Sequence, residues 1–212
     1  MTPTHRADHV GSLLRPPELL SARKDPNTTH ERLTAVEDRC ILDALKRQQE
    51  VGLTIFTDGE LRRTSFMGDF YESVDGLDQE YDVDRTWKGG AGLAEGIGAR
   101  GGAVVGKIRQ TKRLTRDDES ERSGTFEALR FVPKSKSVVL GLVSSKLPEF
   151  EPQEHLLHRI DEASQYVPLE NLAVSPQCGF ASTMEGNLLT EDDQWRKLQL
   201  VVDTARKVWK SA

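Results

Sequence analysis

The sequence lacks the features that mark membrane-spanning, exported or nucleic-acid-binding chains. None of its apolar runs approaches the ~18 residues that a bilayer span requires. Nothing near the N-terminus has the apolar centre of a signal peptide, so a cytoplasmic protein without a membrane partner is expected. Cysteine is almost missing: Cys40 and Cys178 stand far apart and make no disulfide framework, which fits a reducing compartment. Aromatic residues are 6% and hydrophobic residues 36%, against 30% charged, so material for a core is scarce. The formal charge of -5 argues against a nucleic-acid partner, the run Lys107 to Arg116 being the basic exception. Internal repeats are also missing. At 212 residues one large domain with one core is expected.

Among the features present, Leu172-Ala-Val-Ser-Pro-Gln-Cys-Gly-Phe-Ala-Ser182 holds the most chemistry. Leu172 to Val174 reads as a strand, Pro176 cannot continue a ladder, and Gly179 lets the backbone turn so that Cys178 leaves the C-terminal end of the strand. In parallel α/β folds that end carries the sites. A small semi-buried loop cysteine is the plain alternative. A second short strand, about Arg6 to Val10, ends at Gly11-Ser12, with Ser12 readable as a polar group at the strand mouth or as a helix cap before Pro16 and Pro17. A third, Leu53 to Phe56, ends at Thr57-Asp58-Gly59-Glu60. Those carboxylates can bind a metal, orient an ammonium group or act as acid and base, or simply sit at a helix N-terminus.

Between these ends, Thr28 to Glu31 has capping-box spacing. The helix after it carries Leu33, Val36, Cys40, Ala44 and Val51 on one face until Gly52 stops it, so Cys40 reads as core. From Ser65 to Arg116 glycines break any long helix, and Ala103 to Leu114 reads as an extended basic ribbon, either ligand-binding or a charge-protected edge. Ser137 to Val143 reads as a strand, about Pro152 to Val167 as a helix with His155 and His158 at its surface, and Thr190 as the cap of a last helix anchored by Trp195 and Trp209.

Several of these segments resemble one family. Ser175 to Ser182, Glu185 to Glu191 and Gln194-Trp-Arg-Lys-Leu198, with Arg6 to Pro16 and Thr57 to Arg63, resemble the cobalamin-independent methionine synthase family and its short single-barrel members. The resemblance implies an α/β fold, a partial TIM (β/α)8 barrel of the methionine synthase and uroporphyrinogen decarboxylase type. It also implies a zinc-dependent methyltransferase moving a methyl group from a 5-methyltetrahydrofolate-type donor to homocysteine. By resemblance Val10, Gly11, Ser12, Asp58 and Glu60 bind substrate, the basic ribbon could meet a folate polyglutamate tail, and Cys178 ligates the metal. The family's His-x-Cys zinc ligands have no counterpart, because the histidines stand at 5, 9, 30, 155 and 158 and none precedes a cysteine by two. The acidic ligand should fall where Ser120 stands, with Asp118 and Glu119 as the possible substitutes.

The expected organisation is one incomplete barrel: two βα units in 1–64, loops and hairpin in 65–116, a junction at 117–123, and the last βα units in 124–212. Four strands, near residues 6, 54, 138 and 172, replace the eight of a closed barrel. Such open edges invite self-association. The readings to be separated are an impaired S-methyltransferase, a non-catalytic remnant or binding protein of the same fold, and, more weakly, a uroporphyrinogen decarboxylase-like enzyme, in which Cys178 has no use.

Overall fold

A computed structural model describes residues 5–63, 77–83, 99–104, 126–181 and 186–211. Four α-helices stand among them: α1 (Pro17–Lys24), α2 (His30–Val51), α3 (Gln153–Ser164) and α4 (Glu191–Trp209). The strands are β1 (Leu77–Val83), β2 (Ala99–Val104), β3 (Val138–Val143) and β4 (Leu172–Pro176).

The architecture follows from the partners that β4 takes on its two sides. β3 and β4 pair in parallel, from Val138 with Leu172 to Val143 with Pro176, and α3 makes the crossover between them. On its other side β4 meets the first segment at a single parallel bridge, Ala7 to Val174, where Asp8 N–H donates to the Val174 carbonyl and Val174 N–H to that of Arg6. Flanked on both sides and covered by α4, β4 is buried along its whole length, as expected of a central parallel strand. The terminal parts of the chain are therefore neighbours in space.

α4 forms because its apolar residues recur at helical spacing: Trp195, Leu198, Val202 and Ala205 are buried. Its start is fixed by a capping box in which Thr190 and Asp193 satisfy each other's backbone N–H groups. α2 ends as expected at Gly52, whose φ of 89° supplies the left-handed cap. One core gathers Ala7, Leu19, Leu53, Val174, Leu198 and Val202, with others; a second joins Leu140, Ile160, Ala163 and Leu172 beneath α3.

Four expectations change. The first strand shrinks to the Ala7 bridge, leaving two parallel strands and that bridge among the described residues, an α/β arrangement in which no barrel is shown. The expected strand Leu53 to Phe56 is bent, because Thr57 spends its N–H and carbonyl on the side-chain amide of Gln48 in α2, which acts in place of a neighbouring strand. The cap of α2 is Thr29, accepting from Arg32 N–H, not Thr28 with Glu31. An antiparallel ribbon exists, but its described strands are β1 and β2, with Leu77 opposite Val104 and Val83 opposite Ala99. The basic run from Lys107 to Arg116, the junction 117–123 and most of the expected ribbon lie outside the described residues.

Candidate functional site: the C-terminal strand ends

The segments singled out at Gly11-Ser12, Gly59-Glu60 and Cys178-Gly179 are joined by hydrogen bonds. Phe180 N–H donates to the Ser12 carbonyl at 2.6 Å and Leu13 N–H to that of Gly59 at 2.9 Å. The Ser12 hydroxyl donates to the Ala181 carbonyl at 2.9 Å, so it ties two strand ends together and does not cap α1, whose preceding residue is Pro16. Contact is close enough to require glycine: a Cβ on Gly179 would stand 2.5 Å from Ser12 N, and one on Gly59 2.9 Å from Leu13 Cδ1. Gly11 and Gly59 also have positive φ, 74° and 64°.

The predicted residues differ in availability. Val10 is 42% exposed, Gly11 is half-buried, and Ser12 is buried. Asp58 is exposed, its Oδ1 accepting from Glu60 N–H at 3.0 Å in a tight turn, so neither carboxylate opens a helix. Glu60 adopts φ 55°, uncommon for a residue with a side chain, and its carboxylate lies 3.7 Å from Arg63. That turn is anchored from behind, where Arg23 donates to the carbonyls of Leu61 and Arg63 and pairs with Glu37 at 2.9 Å. Cys178 is a free, partly exposed thiol.

Cys40 is the contrasting case. It is 1% exposed, donates to Glu18 at 3.3 Å, and burial pushes its thiol up to about 12, as suits a core cysteine. His155 and His158 are exposed, in keeping with a surface reading.

Three contributors had gone unread. Gln48, fully buried on α2, bonds both Thr57 and the His9 ring; its sequence signal was a polar residue continuing the Cys40, Ala44 stripe. Asn187 is buried against the Cys178 turn. The buried Ser145 reaches the same place from the end of β3, and its hydroxyl has no hydrogen-bond partner among the described residues.

Zinc is the group that the resemblance requires here. The described donors do not fit it: no three side chains among His, Cys, Asp and Glu lie close enough together to hold a metal ion. Asp118 and Glu119 lie outside the described residues. Cys178 thus belongs to no three-donor group within this set, where a catalytic zinc usually has three protein ligands.

Comparison with known proteins finds similarity in the part of the chain that holds this strand-end turn. The cobalamin-independent synthase catalytic domain matches residues 113–207, a stretch that includes β3, α3, β4 and Cys178. That match takes in less than half of the chain, and it is to those residues that the likeness to the synthase family applies. Two Bacillus subtilis proteins, both described as uncharacterized, are similar over part of this chain: YxjH is 54% and YxjG 56% identical over 93 residues. Each match covers 43% of this chain and 25% of the relative, so the chain spans about a quarter of the length of those relatives. A crystal structure from Listeria monocytogenes, of a candidate vitamin-B12 independent methionine synthase, aligns over 99% of both chains with a TM-score of 0.62. At 22% identity that likeness concerns the synthase fold alone. The methionine synthase-like α/β arrangement therefore extends to the N-terminal half, beyond the family match.

Proposed function

We propose that this chain supplies the amino-acid-binding end of a methionine synthase-like S-methyltransferase. The substrates are a homocysteine-type thiol and a 5-methyltetrahydrofolate-type methyl donor. The observation that carries the reading is the convergence of Gly11-Ser12 and Cys178-Gly179, which follow the paired parallel segments, with the Gly59-Glu60 turn. Backbone groups at Val10 and Gly11 meet the carboxylate of the amino acid, and the carboxylates of Asp58 and Glu60 meet its ammonium. Cys178, partly exposed on its turn, is the family's metal-ligand thiolate.

The same donor count sets the chain's capacity. A catalytic zinc keeps about three protein ligands and one open position, and one thiolate leaves most of the ~10 to 16 kcal/mol of structural zinc binding unrealised. A homocysteine thiol without activation stays near the free value of ~8.5 and is mostly protonated at neutral pH. The 212-residue chain on its own is therefore expected to bind substrate and give negligible methyl transfer. The test is elemental analysis after purification with zinc, joined to a methionine-formation assay on the same sample. Stoichiometric zinc that is lost on Cys178→Ser, with turnover above background, would overturn the claim of negligible transfer. Absence of any homocysteine binding, read by calorimetry, would remove the functional reading itself.

A further inference from the structure

The Gly186-Asn187 step is part of the segment 185–191 that resembles the family, yet no role has been attached to it. We propose that Asn187 is the positioning residue that holds the Cys178 turn against the end of β3. The inference rests on the reading of Cys178 as the functional thiol.

Asn187 Nδ2 donates to the Ser145 carbonyl at 2.7 Å and to the Gly179 carbonyl at 3.3 Å. Its backbone N–H donates to the Phe180 carbonyl at 3.1 Å. One residue thus links the loop leaving β3 to both residues that follow Cys178. Phe180 is fixed from its other side by Ser12, so the turn is held at two points.

The chemistry selects asparagine. Both side-chain partners are carbonyl oxygens, and only the amide NH2 brings two donors on one short, planar group. Aspartate would set lone pairs against both oxygens, and serine could satisfy one. Asn187, Ser145 and Gly179 are all buried, so loss of the donor leaves carbonyls that water reaches poorly. Gly186 makes the approach possible: its φ is 89°, and a Cβ there would come within 2.5 Å of Leu14 Cδ2.

The test measures iodoacetamide alkylation of Cys178 in the full 212-residue chain by peptide mass spectrometry at one fixed pH. Asn187→Asp and Asn187→Ala are compared with Leu156→Ala, a buried change on α3 that loosens the protein elsewhere. Both Asn187 variants are expected to raise the Cys178 rate about tenfold, equivalent to ~1.4 kcal/mol, while Leu156→Ala leaves that rate unchanged. Should Asn187→Asp not fold, Asn187→Ala, which adds no charge, carries the comparison. A wild-type rate in the Asn187 variants, or an equal rise in Leu156→Ala, overturns the proposal. Homocysteine binding is scored separately: its absence in the wild type removes the functional reading and leaves the alkylation result standing, and the reverse holds as well.

Discussion

Replacing Gly179 with alanine tests the joining of the first and last strand ends by adding one methyl group. Gly179 is outside the left-handed region, so the added Cβ meets a steric problem and no conformational one. That carbon would stand 2.5 Å from Ser12 N, 2.6 Å from Ser12 Oγ and 3.1 Å from Ser12 O. The two nearest backbone atoms cannot rotate away as a flexible side-chain tip would. Relief requires the two loops to separate, which stretches the Phe180 N–H bond to Ser12 and the Ser12 hydroxyl bond to Ala181. Overpacking of this kind costs about 1–3 kcal/mol. Weakening two hydrogen bonds adds about 1 kcal/mol. The sum is about 2–4 kcal/mol, or roughly 5–15 °C in Tm for a chain of this size. Urea titration followed by circular dichroism gives the free energy, and calorimetry gives the Tm. Gly141→Ala is the matched control, since its Cβ would meet Gln177 Cα at 3.1 Å and needs a shift of only a few tenths of an ångström. A Gly179→Ala protein melting within about 2 °C of wild type, less than 1 kcal/mol, would show that the loops are not in contact and would refute the reasoning.

Other perturbations read separate parts of the structure. Lys197 has a fully buried side chain whose Nζ donates to the Glu149 carbonyl and lies 3.3 Å from Glu151, so Lys197→Met should cost about 2–4 kcal/mol in urea titration; pairing it with Glu151→Gln should recover part of that. Thr190→Ala removes the cap of α4 and should lower stability by about 1 kcal/mol, or 2–4 °C in a calorimetric scan. Cys40 should stay unmodified when Cys178 is alkylated in the native protein, because burial pushes its thiol up to about 12; equal labelling in a peptide map would contradict its place in the core. Burial holds His9 below its ordinary value despite the acceptor on Gln48 and the charge of Asp8. Below about pH 6.5 the unfolded chain therefore takes up a proton that the native ring refuses, and stability falls by up to ~1.4 kcal/mol per pH unit until the folded value is reached. Melts of wild type and His9→Gln across this window should diverge as pH falls, the wild type losing more.

What could be read from the sequence was the part fixed by local chemistry. Thr190 with Asp193, Gly52 after Val51 and the Pro176 to Gly179 turn each act through a few neighbouring residues, so their structure follows from spacing alone. The strand at Leu53 to Phe56 had an equally good pattern and did not form, because a strand is a relation between two segments. Its β-branched and aromatic residues state a preference for a pleated surface and supply no partner. Gln48, four residues beyond Ala44 on the helical stripe, took the backbone groups of Thr57 instead.

The same distinction explains why the thiol was legible and its support was not. Cys178 carries reactive chemistry in its own side chain, and a proline and a glycine beside it announce a turn. Asn187 acts on carbonyls of residues 145 and 179, one of them 42 positions away, and nothing in Gly-Asn-Leu-Leu names those partners. An amide donor is selected only after two strand ends have met, so its necessity belongs to the folded geometry. Residues of this kind are found by asking where each buried carbonyl at a strand end sends its hydrogen bond. Here that question leads from β3 through Asn187 to the turn that presents Cys178.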